Sequence, residues 1–257
     1  SDEALYENCC FNMLYRSALG LVKLDEQCPS IDSYYTLRRN MTKYQEETGV
    51  DLFDKCFKGI TRKQALEYRI SGKAVRMDSK LISSNIAWFS RYEIIHETLM
   101  QQVSKSEIES IEDQLIRQQA LDFYEEDAQK TIYRTDSETM EKRLLTLGIV
   151  IDYILTHSPE DSKPLLSRVF NEQYDKAEDG TVTVRDKKLV SAKSVQNPND
   201  PDAHYRSKAG KKVKGFSTNI TETCDEENKP NLITDVEVKG ATTADNTYVE
   251  SGVKGTE

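Results

Sequence analysis

No run of apolar residues in this chain approaches the length needed to cross a membrane, and no secretory signal is visible. No membrane-spanning helix is expected on that ground. The five cysteines form no framework either: Cys9 and Cys10 are adjacent, Cys28, Cys56 and Cys224 are scattered, and no Cys-x-x-Cys occurs. A zinc ribbon or a disulfide-stapled domain is not expected, and the thiols read as reduced, in the cytoplasm. His96, His157 and His204 are too dispersed to suggest a metal cluster or a catalytic dyad. Gly210-Lys211-Lys212 is no phosphate loop, since no glycine stands five residues earlier and no Ser or Thr follows the lysines in place. An excess of positive charge is also missing. The formal net charge is −9, which argues against a dedicated nucleic-acid binder unless the cations are gathered in one place.

One stretch does gather them. Arg206, Lys208, Lys211, Lys212 and Lys214 occur with no acid among them, flanked by Tyr205 and Phe216. Such a segment reads as a phosphate-contacting loop, or as a solvated loop with no partner. Arg38, Arg39, Lys43, Arg62 and Lys63 form a looser basic set, while acids collect at 107–113, 122–127 and 225–227. The chain of 257 residues is 37% hydrophobic and 31% charged. That is enough to bury a substantial core in one or two domains beneath a polar surface.

The stretch with the most specific chemistry is Lys73-Ala-Val-Arg-Met-Asp-Ser-Lys-Leu-Ile82. Its period of two predicts a strand with Val75, Met77, Ser79 and Leu81 on one face and Arg76, Asp78 and Lys80 on the other. Asp78 then sits between two cations near the C-terminal half of a strand, a common station for a metal-binding carboxylate. The alternative is a member of a surface ion ladder.

Around it the chain reads mostly as helix. Leu5, Cys9, Phe11, Met13, Leu14 and Leu21 predict a first helix, capped by Ser1 or Asp2; Pro29-Ser30 breaks and caps a second, and Leu52 to Ile60 predicts a third before a connection from Leu66. These three helices are either a DNA-binding unit or a plain helical cap. After Asp78, Trp88, Tyr92, Ile95, Leu99 and Val103 recur at helical spacing, followed by Ile108, Ile111 and Leu115, by Met140 to Ile154 behind a Ser137 cap, and by Leu165 to Tyr174. All of these read as core. Thr181 to Val184 reads as a small strand, Lys211 to Thr223 and 232–238 as two longer ones joined by turn residues at 225–231. Asp235 reads as solvent-facing on its strand, and Asp245 as a helix N-cap.

Taken in order, Asp78-Ser-Lys-Leu-Ile, Asn85-Ile, Asp200-Pro-Asp-Ala-His through Lys214-Gly-Phe, Thr221-Glu-Thr-Cys-Asp, Leu232-Ile-Thr-Asp and Ala244-Asp-Asn resemble the DDE transposases of bacterial insertion sequences, in the group with an InsH-type helical N-terminal domain. The resemblance runs from about Leu5 to Asp245, and its most specific part is the Asp-Pro-Asp-Ala to Lys-Gly-Phe segment. It implies an α+β, mostly helical chain. Residues 1–70 would be the helical N-terminal domain that holds DNA ends. Residues 71–257 would be a partial RNase H-like domain, its first three antiparallel strands interrupted by a helical insert at about 85–175.

The resemblance further implies Asp78 as the first catalytic and metal-binding carboxylate, Mg²⁺ or Mn²⁺ in the intact enzyme, and double-stranded DNA as partner, both insertion-sequence ends and target. It also implies a cytoplasmic, nucleoid-associated protein with a second copy of itself as a further partner. Phosphoryl transfer of this kind uses about three carboxylates around two ions. The family's second Asp and its Glu are not reached before Glu257, so the chain is expected to be an inactive fragment cut at both ends. A non-catalytic DNA-binding or inhibitory fragment and a structural interaction module are the other readings; the last would bury the Asp78 face under side chains.

Overall fold

The structure, a computed structural model, describes residues 2–23, 25–159, 161–208, 210–224 and 229–256. It is mixed α+β, 52% helical, with antiparallel sheets. No described helix is long and apolar enough to cross a membrane. Two compact units emerge: Ser1–Lys73 with Asp225–Thr234, and Ala74–Cys224 with Asp235–Glu257.

The first unit holds α1 (Asp2–Phe11), α2 (Met13–Ala18), α3 (Ile31–Thr48) and α4 (Leu52–Tyr68). The single first helix expected from its apolar spacing is two. Asn12 leaves helical geometry, and its side chain accepts a hydrogen bond from the Leu14 amide, so it caps α2 instead of continuing α1. Asp2 is already helical and meets Arg38 at 2.8 Å, while the alternative cap, Ser1, lies outside the described residues. Ser30 caps α3 as expected, and Asp51 caps α4. Leu66 does not begin a connection: α4 runs on to Tyr68 and stops at Arg69 in the left-handed conformation. No described residue of α1, α3 or α4 is buried, and Phe11, Leu14, Ile60 and Leu66 are all exposed.

The second unit begins with β1 (Val75–Ser83) and continues through α5 (Arg91–Gln102), α6 (Lys105–Glu109), α7 (Gln114–Tyr124), α8 (Ala128–Arg134), α9 (Ser137–His157) and α10 (Pro164–Gln173). Then come β2 (Tyr174–Lys176), β3 (Val182–Val184), β4 (His204–Lys208), β5 (Lys211–Thr223) and β6 (Ile233–Gly240), a 3₁₀ turn (Asp245–Tyr248) and α11 (Val249–Thr256). The helical body buries the positions that helical periodicity selects: Tyr92, Ile95, Leu99, Val103, Ile108, Leu147, Ile151, Ile154, Leu166, Val169 and Tyr174. Ser90 with Glu93, and Ser104 with Glu107, form reciprocal capping boxes that set the starts of α5 and α6. Gly148 is needed where it stands, because a Cβ there would lie 2.4 Å from the Tyr174 ring, whose hydroxyl donates to the Leu144 carbonyl.

Some expected positions are displaced. Asp136, not Ser137, caps α9, its carboxylate accepting from the Thr139 amide. Leu115 is exposed and Ile116 takes its place in the core, because the Asp113 cap sets the phase of α7. Trp88 precedes α5 on a segment without regular secondary structure and is 57% exposed, so it is not a core residue.

The main sheet is built on β5. β1 pairs with it antiparallel over nine residues, from Val75↔Thr223 to Ser83↔Gly215, and Asp78 stands opposite Ile220. β4 pairs antiparallel with the first part of β5, from His204↔Gly215 to Lys208↔Lys211, and β6 also pairs with β5. The expected partnership of the Asp78 strand with 213–221, and of that strand with 232–238, is therefore present. β4 is an addition: its polar, charged sequence shows no alternation, and the supposed loop is a hairpin. The turn residues expected at 225–228 lie outside the described residues. β2 and β3 form a separate two-stranded sheet.

One face of the main sheet is covered and the other is open. Tyr248 donates to the Ser217 carbonyl, and a Cβ on Gly252 would sit 2.6 Å from the Thr221 Oγ1 and 2.7 Å from the Met77 sulfur. The 3₁₀ turn and α11 thus lie on the face carrying Met77, Ser79, Ser217, Asn219 and Thr221. Asp235 belongs to this face too and is buried, with Gly255 close upon it, which corrects the expectation of a solvent-facing carboxylate. Glu237 accepts from Ser251, and Lys239 lies over the Tyr248 ring at 5.0 Å. Val236 and Val238, on the other face of β6, are exposed. Its charged side faces inward because the helix that covers it offers polar groups and glycines.

Lys163, 8% exposed, donates to Glu107 at 2.7 Å and to the Gln102 carbonyl at 2.9 Å. The hydrogen bond from Lys163, with those from Ser104, lowers the Glu107 pKa to about 2 from its usual 4.5. A depressed carboxyl contributes stability that is complete above the unfolded value and lost as pH falls through the folded one. Glu107→Gln should therefore lower stability at pH 7 by about 1 kcal/mol, a value discounted for the exposure of the carboxylate. The difference from the parent protein should shrink between about pH 4.5 and about 2 in denaturant titrations; a pH-independent difference would remove the ion pair as its cause.

Candidate nucleic-acid interface

The alternation along β1 and β5 decides what shares the open face. Arg76, Asp78 and Lys80 are exposed on β1, while Val75, Met77, Ser79 and Leu81 are not. Their partners across the ladder are Glu222, Ile220 and Thr218, and the same face of β5 continues through Phe216, Lys214 and Lys212. Ile82, Ile220, Val236 and Val238 are exposed apolar residues. The Asp78 carboxylate takes part in no hydrogen bond or ion pair among the described residues, whereas its neighbour Arg76 meets Glu222 at 2.6 Å. Its face is not covered by side chains, as a purely structural module would require.

The five cations separate into three kinds. Arg206 is structural: its guanidinium donates to the Ala241 carbonyl at 3.0 Å and to that of Thr243 at 3.2 Å, so it is committed to the covered face. Lys214 is 7% exposed, donates to the Phe89 carbonyl at 3.2 Å and lies 5.0 Å from the centre of the Trp88 ring. Burial lowers its pKa, partly opposed by the Glu93 carboxylate. Neither is free to meet a phosphate, which corrects the grouping of all five as one contact set. Lys208, Lys211 and Lys212 remain, exposed at the tip of the β4–β5 hairpin beside Gly210, whose φ of 77° closes the turn. Lys208 and Lys211 face each other across the ladder, and Lys212 points to the Asp78 face.

Lys212 and Ile220 are eight residues apart on β5, about 26 Å at strand spacing. The lysines therefore do not act on the group that meets Asp78. Lys211 and Lys212 lie on the strand that carries Ile220, and Lys208 on its β4 partner; Lys80 and the Trp88–Lys214 pair stand between.

The segment 84–90 fixes Trp88. The Ser84 amide donates to the Lys214 carbonyl at 2.9 Å, its hydroxyl meets Asp200, and the Asn197 side chain donates to the Ala87 carbonyl at 3.2 Å. Gly215 permits this approach: a Cβ there would lie 2.2 Å from the Ile82 carbonyl oxygen and 2.6 Å from the Ser84 nitrogen. Asn197, Asp200 and Ser84 were not singled out for this role from the sequence. The Asn-Pro-Asn-Asp-Pro-Asp run at 197–202 is the signal that could have found them, because Asn and Asp in such runs bind backbone groups.

The divalent ion implied by the family resemblance needs several hard oxygen ligands that converge. Among the described residues no three of His, Cys, Asp and Glu do so. Asp245 accepts a hydrogen bond from Ser79 at 2.6 Å, which puts it on the covered face, and Asp235 is buried there as well. Asp245 is not the N-cap: Ala244 holds that position without a side-chain hydrogen bond, and Asp245 is the first residue of the 3₁₀ turn. The residues present do not fit a metal site, and no metal-dependent step is assigned to them.

The division among the cations is testable by stability. Arg206→Gln should lower stability by about 1–3 kcal/mol, because it strips two carbonyls of a charged donor. Lys208→Gln should change it by less than about 0.5 kcal/mol. Urea midpoints that move equally for the two variants would show that Arg206 is no anchor.

No protein-family model, no curated protein and no solved structure matches this chain.

Proposed function

We propose that this chain is part of a DNA transposase of the insertion-sequence DDE type, and that it lays DNA along the open face of its sheet. The observation that carries the reading is the nine-residue ladder between β1 and β5, which puts Asp78 on an uncovered face with Lys80 and Lys212. The order of elements supports it: a strand bearing an exposed carboxylate, a helical insert from α5 to α10, then β5 beside that strand and β6 beside β5, the order expected of an RNase H-like start. In this reading Asp78 is the first of the carboxylates of the whole enzyme, which would cut insertion-sequence ends and transfer the strand to target DNA. Lys208, Lys211 and Lys212 contact phosphates, and their contribution arises from counterions released by each neutralised phosphate. That no three of His, Cys, Asp and Glu converge among the described residues favours a second reading, a DNA-binding part without chemistry of its own.

Two experiments follow. The chain should bind duplex DNA weakly, with affinity falling as salt rises, and replacing Lys208, Lys211 and Lys212 by Glu should weaken binding and flatten the salt dependence by roughly one unit of slope per lost contact. An unchanged slope in the triple variant would return the hairpin to a solvated surface. With Mg²⁺ or Mn²⁺ the pure chain should neither nick nor join a labelled duplex, because the reaction asks for about three carboxylates. Nicking abolished by Asp78→Ala would show that further ligands lie within the chain.

A further inference from the structure

Trp88 is the only tryptophan of the chain. A tryptophan is usually kept from water, yet this one is 57% exposed on a backbone that is held on both sides. The Ala87 carbonyl accepts from Asn197, which is 2% exposed, and the Phe89 carbonyl accepts from Lys214. The ring is thus presented and not loosely placed. Beneath it lies the Lys214 ammonium, 5.0 Å from the ring centre.

Its surroundings say what would lie on it. Lys214 and Lys212 are two residues apart on the same face of β5, about 7 Å. That is close to the reach between a nucleobase and the phosphate of a neighbouring nucleotide in an unpaired strand. Tyr205 stands directly opposite Lys214 across the β4–β5 ladder, and Ser207 opposite Lys212. An aromatic face set among cations along a strand edge is the arrangement that holds single-stranded nucleic acid, with bases stacked on rings and phosphates on lysines. A cation behind the ring adds to its attraction for an electron-rich base on the other face.

We infer that Trp88 is a stacking platform for an unpaired base of a DNA strand whose phosphate is met by Lys212. This rests on the DNA-binding reading above and deepens it: the sheet face would hold strand ends that have opened, and not only intact duplex. The competing explanation is structural, with the indole serving only as a lid over Lys214. Leucine at position 88 would supply an apolar lid but no ring.

The single tryptophan makes the test direct. A short single-stranded oligonucleotide should quench Trp88 fluorescence, and an abasic strand of equal length and charge should quench it much less. Trp88→Leu should weaken single-strand binding by roughly 5- to 150-fold, while Trp88→Phe keeps most of the affinity and duplex binding through the hairpin lysines changes little. Equal quenching by the abasic strand, or single-strand affinity unchanged in Trp88→Leu, would overturn the platform while leaving the duplex reading intact. Absence of both duplex and single-strand binding by the parent chain would overturn the DNA reading, and the platform with it. Circular dichroism of Trp88→Leu that matches the parent separates a lost platform from a lost fold.

Discussion

The pairing of β1 with β5 is the constraint on which the second unit depends. β1 is followed at once by a long helical body, and no described strand close to it in sequence pairs with it. A strand left alone would expose or bury a row of unpaired backbone amides and carbonyls, each costing about 1–3 kcal/mol when buried. The chain resolves this by returning after α10 with a strand of thirteen residues that serves three partners. Closing so long an excursion is entropically less costly than its length suggests, because the loop-closure term grows only logarithmically and the helices order the excursion from within.

From that ladder the site follows by geometry. Period-two alternation sends Asp78, Lys80 and Lys212 to one face and Met77, Ser79 and Thr221 to the other. Gly215 lets the end of β1 cross close over β5, and the crossing delivers the segment that presents Trp88. The hydrogen bonds of Asn197 and Lys214 then hold that segment at its carbonyls. An exposed aromatic ring, a carboxylate whose side chain meets no partner among the described residues, and the exposed Lys80 and Lys212 are left as the chemistry of the face.

The charged run at the hairpin shows how one composition serves different physical roles. Arg206 and Lys214 have turned inward and donate to carbonyls, where a guanidinium or an ammonium satisfies acceptors that would otherwise be buried alone. Lys208, Lys211 and Lys212 stay in water because the turn at Gly210 carries them past the last covering element. Nothing in the spacing of the five distinguishes these roles. The difference lies in what comes back to cover each position: the 241–243 segment over Arg206, and the Phe89 carbonyl with the Trp88 ring over Lys214.

Much of the local structure was determined by the sequence itself. The strand at Asp78 with its two faces, the stripes of α5, α9 and α10, the breaker and cap at Pro29-Ser30 and the strand pair after 211 all arise from side-chain periodicity and turn chemistry, which act over a few residues. Other features were decided only by the tertiary structure, each through a neighbour distant in the chain. Trp88 fits the helical stripe of α5 but falls before its Ser90 cap, so it lies outside the helix that would have buried it. β6 turns Asp235 and Glu237 inward and Val236 and Val238 outward, the reverse of what hydrophobicity alone suggests, because α11 brings serine and glycine, not apolar side chains, to that face. β4 has no alternation to announce it and becomes a strand because β5 offers a free edge. Periodicity reports which residues share a face; only the element packed against that face determines whether it is wet or dry.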